Sequence, residues 1–379
     1  MMKGIAAAAC AVAALGLLQP VPAKAEVIAD EIRTEYEPIR VVRVAGGLER
    51  PWAVAFLPDG RYLVTERPGR LNIIADGEVT AVEGLPSLHV QNQGGLLDVV
   101  LHPDYEDNGW IYLTYSKGDA DGTTTALARG RLDGTRLVDF EELFEQDRLS
   151  EPGRHYGTRI AWLSDGTLLL SIGDRGAEPP RAQDPKDHAG KLLRLNADGT
   201  VPADNPFVGR DDVHPEIYSL GHRNIQGLVV APDTDEIWAT EHGERGGDEL
   251  NLVRAGENYG WPVVTRSREY RTEEQYGEGR RGEDYVEPLY EFLPTLAPSG
   301  LALVTADRFP NWQGNLLAGG LRAERIRRVV VENYEVVHEE ELLLKLVGRI
   351  RDVREAPDGH IYVLSDSSDG GLYRIESLR

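Results

Sequence analysis

Several clusters in the 379-residue chain carry side chains able to do chemistry. His155-Tyr156-Gly157 precedes a short apolar run and then Ile172-Gly173-Asp174-Arg175-Gly176. A hairpin between them would return Asp174 toward His155, and a carboxylate that orients an imidazole makes a general base near neutral pH. A surface histidine beside a turn aspartate is the alternative on these residues alone. Gly221-His222-Arg223-Asn224-Ile225-Gln226-Gly227 sets an Arg-Asn pair between glycines, suited to fork onto a planar carboxylate. Glu241-His242-Gly243-Glu244-Arg245-Gly246-Gly247-Asp248-Glu249-Leu250-Asn251 continues to Asn258-Tyr259-Gly260-Trp261-Pro262. Its oxygen ligands and glycine-exposed carbonyls suit a hard cation such as Ca²⁺, against an acidic, solvated loop. Arg322, Arg349 and Arg351 are concentrated cations in an acidic chain. On a strand Arg349 and Arg351 share one side and could receive an anion, or form a structural ion-pair ladder with Asp352 and nearby acids. Gln91-Asn92-Gln93-Gly94-Gly95-Leu96-Leu97-Asp98 joins side-chain amides to paired glycines, which suits close approach of the backbone to a ligand. Asp184 and Asp187 flank His188 without regular metal spacing.

The elements that must position these residues repeat. Pro58-Asp59-Gly60, His102-Pro103-Asp104, Ser164-Asp165-Gly166, Ala231-Pro232-Asp233, Phe309-Pro310 and Pro357-Asp358-Gly359 each precede a short apolar or β-branched run. A turn signal followed by such a run is a strand entrance. Six recurrences with room for about four strands each predict an all-β, six-bladed β-propeller of four-stranded antiparallel blades. Arg40–Val44 reads as the strand that completes the last blade and closes the ring. The polar segment 266–287 reads as a loop insertion. Long loops of a propeller gather on one face, so the clusters can converge at the axis.

Composition narrows the function. Lys plus Arg is 41 and Asp plus Glu is 63, a formal net charge of −22, which repels phosphate backbones and argues against nucleic acid as a partner. Met1-Met2-Lys3, an apolar run to Leu18 and Ala23-Lys24-Ala25 have the layout of a cleavable export signal. We expect residues 1–25 to be a signal peptide cut after Ala25, and 26–379 to be one propeller domain. That places the protein in the periplasm or outside the cell, without membrane insertion after cleavage. The single cysteine, Cys10, lies in that leader. No apolar stripe argues for a large interface, so a monomer is the expectation.

At these motifs the sequence resembles the soluble, PQQ-dependent glucose/sorbosone dehydrogenase family, especially periplasmic aldose sugar dehydrogenases. The resemblance runs from Pro51-Trp52 to Tyr373-Arg374-Ile375 and includes Gly-His-Arg-Asn, Glu-His-Gly, Asn-Tyr-Gly-Trp-Pro and Arg-Ile-Arg-Asp-Val. It implies a six-bladed propeller that uses pyrroloquinoline quinone (PQQ) and Ca²⁺ to oxidise C1 of aldoses to lactones. It implies His155 as the base and Asp174 as its orienting acid. It implies Gln93, Arg223, Asn224, Arg322, Arg349 and Arg351 as cofactor contacts, Arg322 standing where the family usually has Lys. It implies Gly243 and Glu244 as carbonyl ligands of the cofactor's Ca²⁺, and Glu249, Tyr259 and Tyr270 as ligands of further Ca²⁺ ions. The readings that compete with it are a Ca²⁺-dependent propeller lactonase and a non-enzymatic sugar-binding propeller, neither of which requires the arginines.

Overall fold

The recurring turns fold alike because their chemistry is alike. In the three Asp-Gly turns the aspartate carboxylate accepts the N–H two residues on: Arg61 to Asp59 (3.1 Å), Thr167 to Asp165 (2.9 Å) and His360 to Asp358 (2.9 Å). The following glycine takes the positive φ that closes the turn (87° at Gly60). Each of the six turn signals joins the first strand of a sheet to its second.

A computed structural model describes residues 25–379 except 120 and 152. The expected export signal lies outside the described residues, apart from Ala25. The described residues form six antiparallel sheets, the blades of a β-propeller. Blade 1 runs from Pro51–Phe56 to Glu78–Ala81, blade 2 from Leu96–Leu101 to Arg136–Glu145, and blade 3 from Ile160–Trp162 to Ile217–Leu220. Blade 4 runs from Ile225–Val230 to Tyr290–Glu291, and blade 5 from Pro298–Leu303 to Glu335–Leu342. Blade 6 begins at Ile350–Glu355 and is completed from the other end of the chain. Pro38–Leu48 pairs with Gly370–Ser377, with Val41 opposite Ile375. The expected ring closure is therefore present.

Blade 6 differs from expectation in one respect. Glu26–Arg33 adds to Pro38–Leu48 as a fifth strand. Its sequence, EVIADEIR, is exposed or half-buried throughout, so it lacks the apolar alternation that marks a strand. The second strands of the blades are buried on both faces and read as apolar runs, as in Leu168–Ile172 and Ile361–Ser365. No helix among the described residues is long and apolar enough to cross a membrane.

The first strands of successive blades pack against one another around the axis. There a charged quartet, buried except for the half-buried Arg354, ties them. Arg159 Nη1 lies 2.8 Å from Asp352 Oδ1 and 3.7 Å from Asp98 Oδ1. Arg354 pairs with Asp98 and, at 2.9 Å, with Asp352. The remaining valences go to neighbouring backbones. Ile160 N donates to Asp98 (2.9 Å), Val54 N to Asp352 (3.2 Å), and Arg159 Nε donates to Gln226 O (2.7 Å). Ser299 Oγ donates to Ile350 O, joining blade 5 to blade 6 (2.7 Å). Removing one member of a buried pair leaves a charge without compensation. Asp98→Ala should therefore cost about 3–5 kcal/mol of unfolding free energy, read by denaturant titration.

Candidate active site

A cavity of about 990 Å³ opens where the inner strands begin. A separate cleft of about 320 Å³, lined by Arg159, Asp352 and Arg354 among others, lies where they end, so the axial quartet is the floor between the two.

His155 precedes the first strand of blade 3 and Asp174 follows the second, so antiparallel pairing brings them together. His155 Nδ1 lies 2.7 Å from Asp174 Oδ1. Asp174 Oδ1 also accepts Gly176 N–H (2.8 Å), and Oδ2 accepts Trp261 Nε1–H (2.8 Å). The His155 N–H donates to Gln93 Oε1 at 2.9 Å, and its φ of 51° is left-handed. Burial would raise the Asp174 carboxyl, but the His155 ring, the Arg223 charge and the Trp261 N–H outweigh it and hold the group below the usual carboxylate range. Burial, helped by Arg223, pushes the His155 imidazole below its ordinary value although Asp174 opposes the shift. The ring is therefore neutral at pH 7, with Nδ1–H committed to Asp174 and Nε2 left as the acceptor.

The opposite wall is cationic. Arg351 is buried and donates to Gln226 Oε1 (3.1 Å) and Asp366 Oδ2 (3.3 Å), while exposed Arg349 reaches the same Asp366 oxygen at 3.1 Å. Arg50 lies 3.6 Å from the other Asp366 oxygen. Burial pushes Arg351 down to about 10, and Arg159, Arg349 and Arg67 add to the shift against Asp366. Arg349 and Arg351 do form ion pairs with an acid, but it is Asp366 and not Asp352, which is held in the axial quartet. On the His155 side, Arg223 accepts Asp174 N–H at its carbonyl (2.8 Å) and donates to Glu244 (2.6 Å), but its buried Nε has no partner among the described residues. Asn224 Oδ1 accepts Gly157 N–H at 3.1 Å, also on the His155 side. In all, seven arginines and four carboxylates line the cavity, a formal surplus of three positive charges in a chain of net −22.

The remaining expected site residues divide. Gln93, Arg223, Asn224, Arg349, Arg351, Glu244 and Tyr270 line the cavity. Gly243 is buried in the adjoining loop, where its N–H donates to Asp248 (3.1 Å) and that of Glu244 to Ser267 Oγ (2.9 Å). The carbonyls of Gly243 and Glu244 accept no hydrogen bond among the described residues. Arg322 does not line the cavity: it is an exposed residue of the turn after Leu316–Gly320. Glu249 and Tyr259 lie together on a different, small cleft, and the Tyr259 hydroxyl is held between Leu252 O (2.8 Å) and Arg254 N (2.9 Å). Gly95 approaches the carbonyl of Arg67, on which a Cβ would fall at 1.7 Å, so that glycine serves the backbone of blade 1. The segment 266–287 is inserted between the last two strands of blade 4 and brings Glu269, Tyr270, Arg271 and Tyr276 to the cavity. Tyr276 stacks on Trp261 at 4.8 Å.

Sequence reasoning did not single out Arg50, Trp52, Arg67, Arg154 or Asp366. Arg50 and Arg67 flank strand ends of blade 1, and a cation at each mouth-side end was the available signal. His188, too, has partners remote in sequence: Asp147 Oδ1 (2.9 Å) and Glu216 Oε1 (2.6 Å) occupy its two nitrogens, outside the cavity.

Fold and site together define a six-bladed propeller whose axial cavity sets an oriented neutral base against a cluster of arginines. The chain belongs to the glucose/sorbosone dehydrogenase family, whose model matches residues 48–374. Protein slr1608 of Synechocystis sp. is 46% identical over 360 residues, covering 89% of this chain and 87% of that one. The aldose sugar dehydrogenase YliI of Escherichia coli K12 is 38% identical over 337 residues, covering 86% and 90%. Among solved structures, the PQQ-bound aldose sugar dehydrogenase of Streptomyces coelicolor superposes with a TM-score of 0.75 at 27% identity, covering 94% of this chain and 99% of that one.

Two titrations check the electrostatics. Nitrogen NMR of ligand-free protein should find His155 neutral at pH 7, and Asp174→Asn should lower its pKa further, because the carboxylate is what raises it. His188 is displaced the other way. Burial disfavours its charge, but hydrogen bonds to Asp147 and Glu216 outweigh that and raise it to about 8. Its stabilisation is complete below about pH 6.5 and is lost as pH rises through 8. Wild type should lose about 2 kcal/mol more than His188→Gln between pH 6 and 9, measured by denaturant unfolding at each pH.

Proposed function

We propose that this chain is an aldose dehydrogenase that uses PQQ and Ca²⁺ to oxidise the anomeric carbon of an aldose to the lactone. One observation carries the reading: an Asp174-oriented, neutral His155 shares a cavity with a surplus of three positive charges. PQQ carries three carboxylates, so charge and donor set fit it, and arginines fork onto carboxylates. Arg223, Asn224, Gln93, Arg349 and Arg351 would hold it, and the orphaned Arg223 Nε is a donor left for it. The uncommitted carbonyls of Gly243 and Glu244 are hard oxygen ligands of the kind Ca²⁺ takes. When bound, PQQ supplies the acceptor for the hydride that leaves C1.

The protein residues do the rest. His155 takes the C1 hydroxyl proton at Nε2, the nitrogen that Asp174 leaves free. Asp174 fixes the tautomer and stabilises the imidazolium that forms. Trp261 and Gly176 hold the carboxylate by its two oxygens and prevent its rotation. Glu269, Tyr270, Arg271 and Tyr276 border the space left for the sugar, so the insertion sets its range. We further infer export through the 1–25 leader, which agrees with a site built for a free sugar.

The test is dye-linked oxidation of aldoses by protein purified without cofactor, then supplied with PQQ and Ca²⁺. We expect dye reduction that requires both additions and is removed by a chelator. His155→Ala should lose about 10²–10⁴-fold in kcat while taking up PQQ normally. Absence of any PQQ-dependent oxidation across aldoses would refute the reading.

A further inference from the structure

Arg67 follows the second strand of blade 1, Tyr62–Glu66, and lines the cavity. Its guanidinium is half-buried and makes no hydrogen bond or ion pair among the described residues. The other cations of the cavity have protein partners, apart from Arg271, which stands exposed to solvent on the insertion: Arg50, Arg349 and Arg351 have Asp366, and across the cavity Arg223 has Glu244 and Arg154 has Gly176 O. Burial pushes the Arg67 guanidinium below its ordinary range; Asp366 opposes the shift, while Arg50 and Arg349 add to it.

The backbone of Arg67 is held as firmly as its side chain is free. Its N–H donates to Arg50 O (3.1 Å), and its carbonyl accepts Leu96 N–H (3.2 Å). Gly95, at φ 151°, lets blade 2 close on that carbonyl, because a Cβ there would lie 1.7 Å from it. A fixed Cα thus presents a partly desolvated cation that the fold does not satisfy. Such a group lowers stability unless an anion arrives.

We propose that Arg67 receives a carboxylate of the cavity's anionic ligand, closing with Arg349 and Arg351 a clamp across blades 1 and 6. It fills the role expected of Arg322, which lies outside the cavity. The identity of the ligand as PQQ rests on the reading proposed above.

The experiment titrates PQQ into cofactor-free wild type, Arg67→Met and Arg67→Lys, with Ca²⁺ present, and reads binding by calorimetry and ligand-free Tm by thermal unfolding. Arg67→Met should bind PQQ about 10–100-fold more weakly, and Arg67→Lys should recover part of the loss. The ligand-free Tm of Arg67→Met should equal or exceed that of wild type, since the arginine has no protein partner to lose. PQQ trimethyl ester, with its carboxylates masked, should bind wild type and Arg67→Met with more nearly equal affinity than PQQ does. PQQ affinity within twofold of wild type in Arg67→Met would overturn the proposal. So would an affinity loss accompanied by a Tm drop of several degrees that Arg67→Lys does not repair, which marks a structural arginine. If wild type itself takes up no PQQ, the functional reading fails and the clamp falls with it; if only the variant result fails, that reading stands.

Discussion

The axial quartet of buried Asp98, Arg159 and Asp352 with half-buried Arg354 is the constraint on which the molecule depends. A propeller brings six inner strands to one axis, where backbone groups from separate sheets face each other without a ladder to pair them. Buried polar groups must find partners. Here two carboxylates accept N–H groups from blades 1 and 3, and a guanidinium donates to a carbonyl of blade 4. Arg159 also donates to Arg351 O (3.1 Å), so the floor of the cavity is tied directly to a residue of its cationic wall. Rigidity at the axis is thereby passed to the site.

Above that floor the electrostatics are reversed from those of the chain as a whole. The overall charge is −22, yet the cavity holds more guanidinium than carboxylate. The fold meets the resulting repulsion by sharing one acid, Asp366, among Arg50, Arg349 and Arg351. Among the described residues it leaves the half-buried Arg67 and one buried nitrogen of Arg223 unmet, besides Arg271, which solvent reaches. Unsatisfied donors in a cavity are a cost to the apo fold and a gain to an anion that can reach them. His155 works by the same logic: neighbouring Arg223 and burial keep it neutral, while Asp174 keeps it oriented.

Much of this was legible in the residues. The Asp-Gly turns exposed the blades, because an aspartate that accepts its own downstream N–H and a glycine at positive φ act locally. Arg40–Val44 could be read as the closing strand since its apolar pattern asks for a partner. Glu26–Arg33 could not, because a charged edge strand is held by backbone pairing that leaves no mark on side-chain type. His155 and Asp174 were readable because one hairpin joins them. Arg50, Arg67 and Asp366 were not: they meet only when the first and last blades close.

The sequence by itself therefore determined the apolar strands, their turns, the family to which the chain belongs and the residues of local motifs. Those features depend on interactions spanning a few residues, or on motifs quoted in order along the chain. The tertiary structure alone decided which charges face which. It gave Asp352 to Arg159 and Arg354 instead of Arg349 and Arg351, turned Arg322 to solvent, and placed Glu249 and Tyr259 on a cleft apart from Gly243 and Glu244. Ring closure sets those distances, and charges separated by up to about 300 positions meet at an axis that no short stretch of sequence contains.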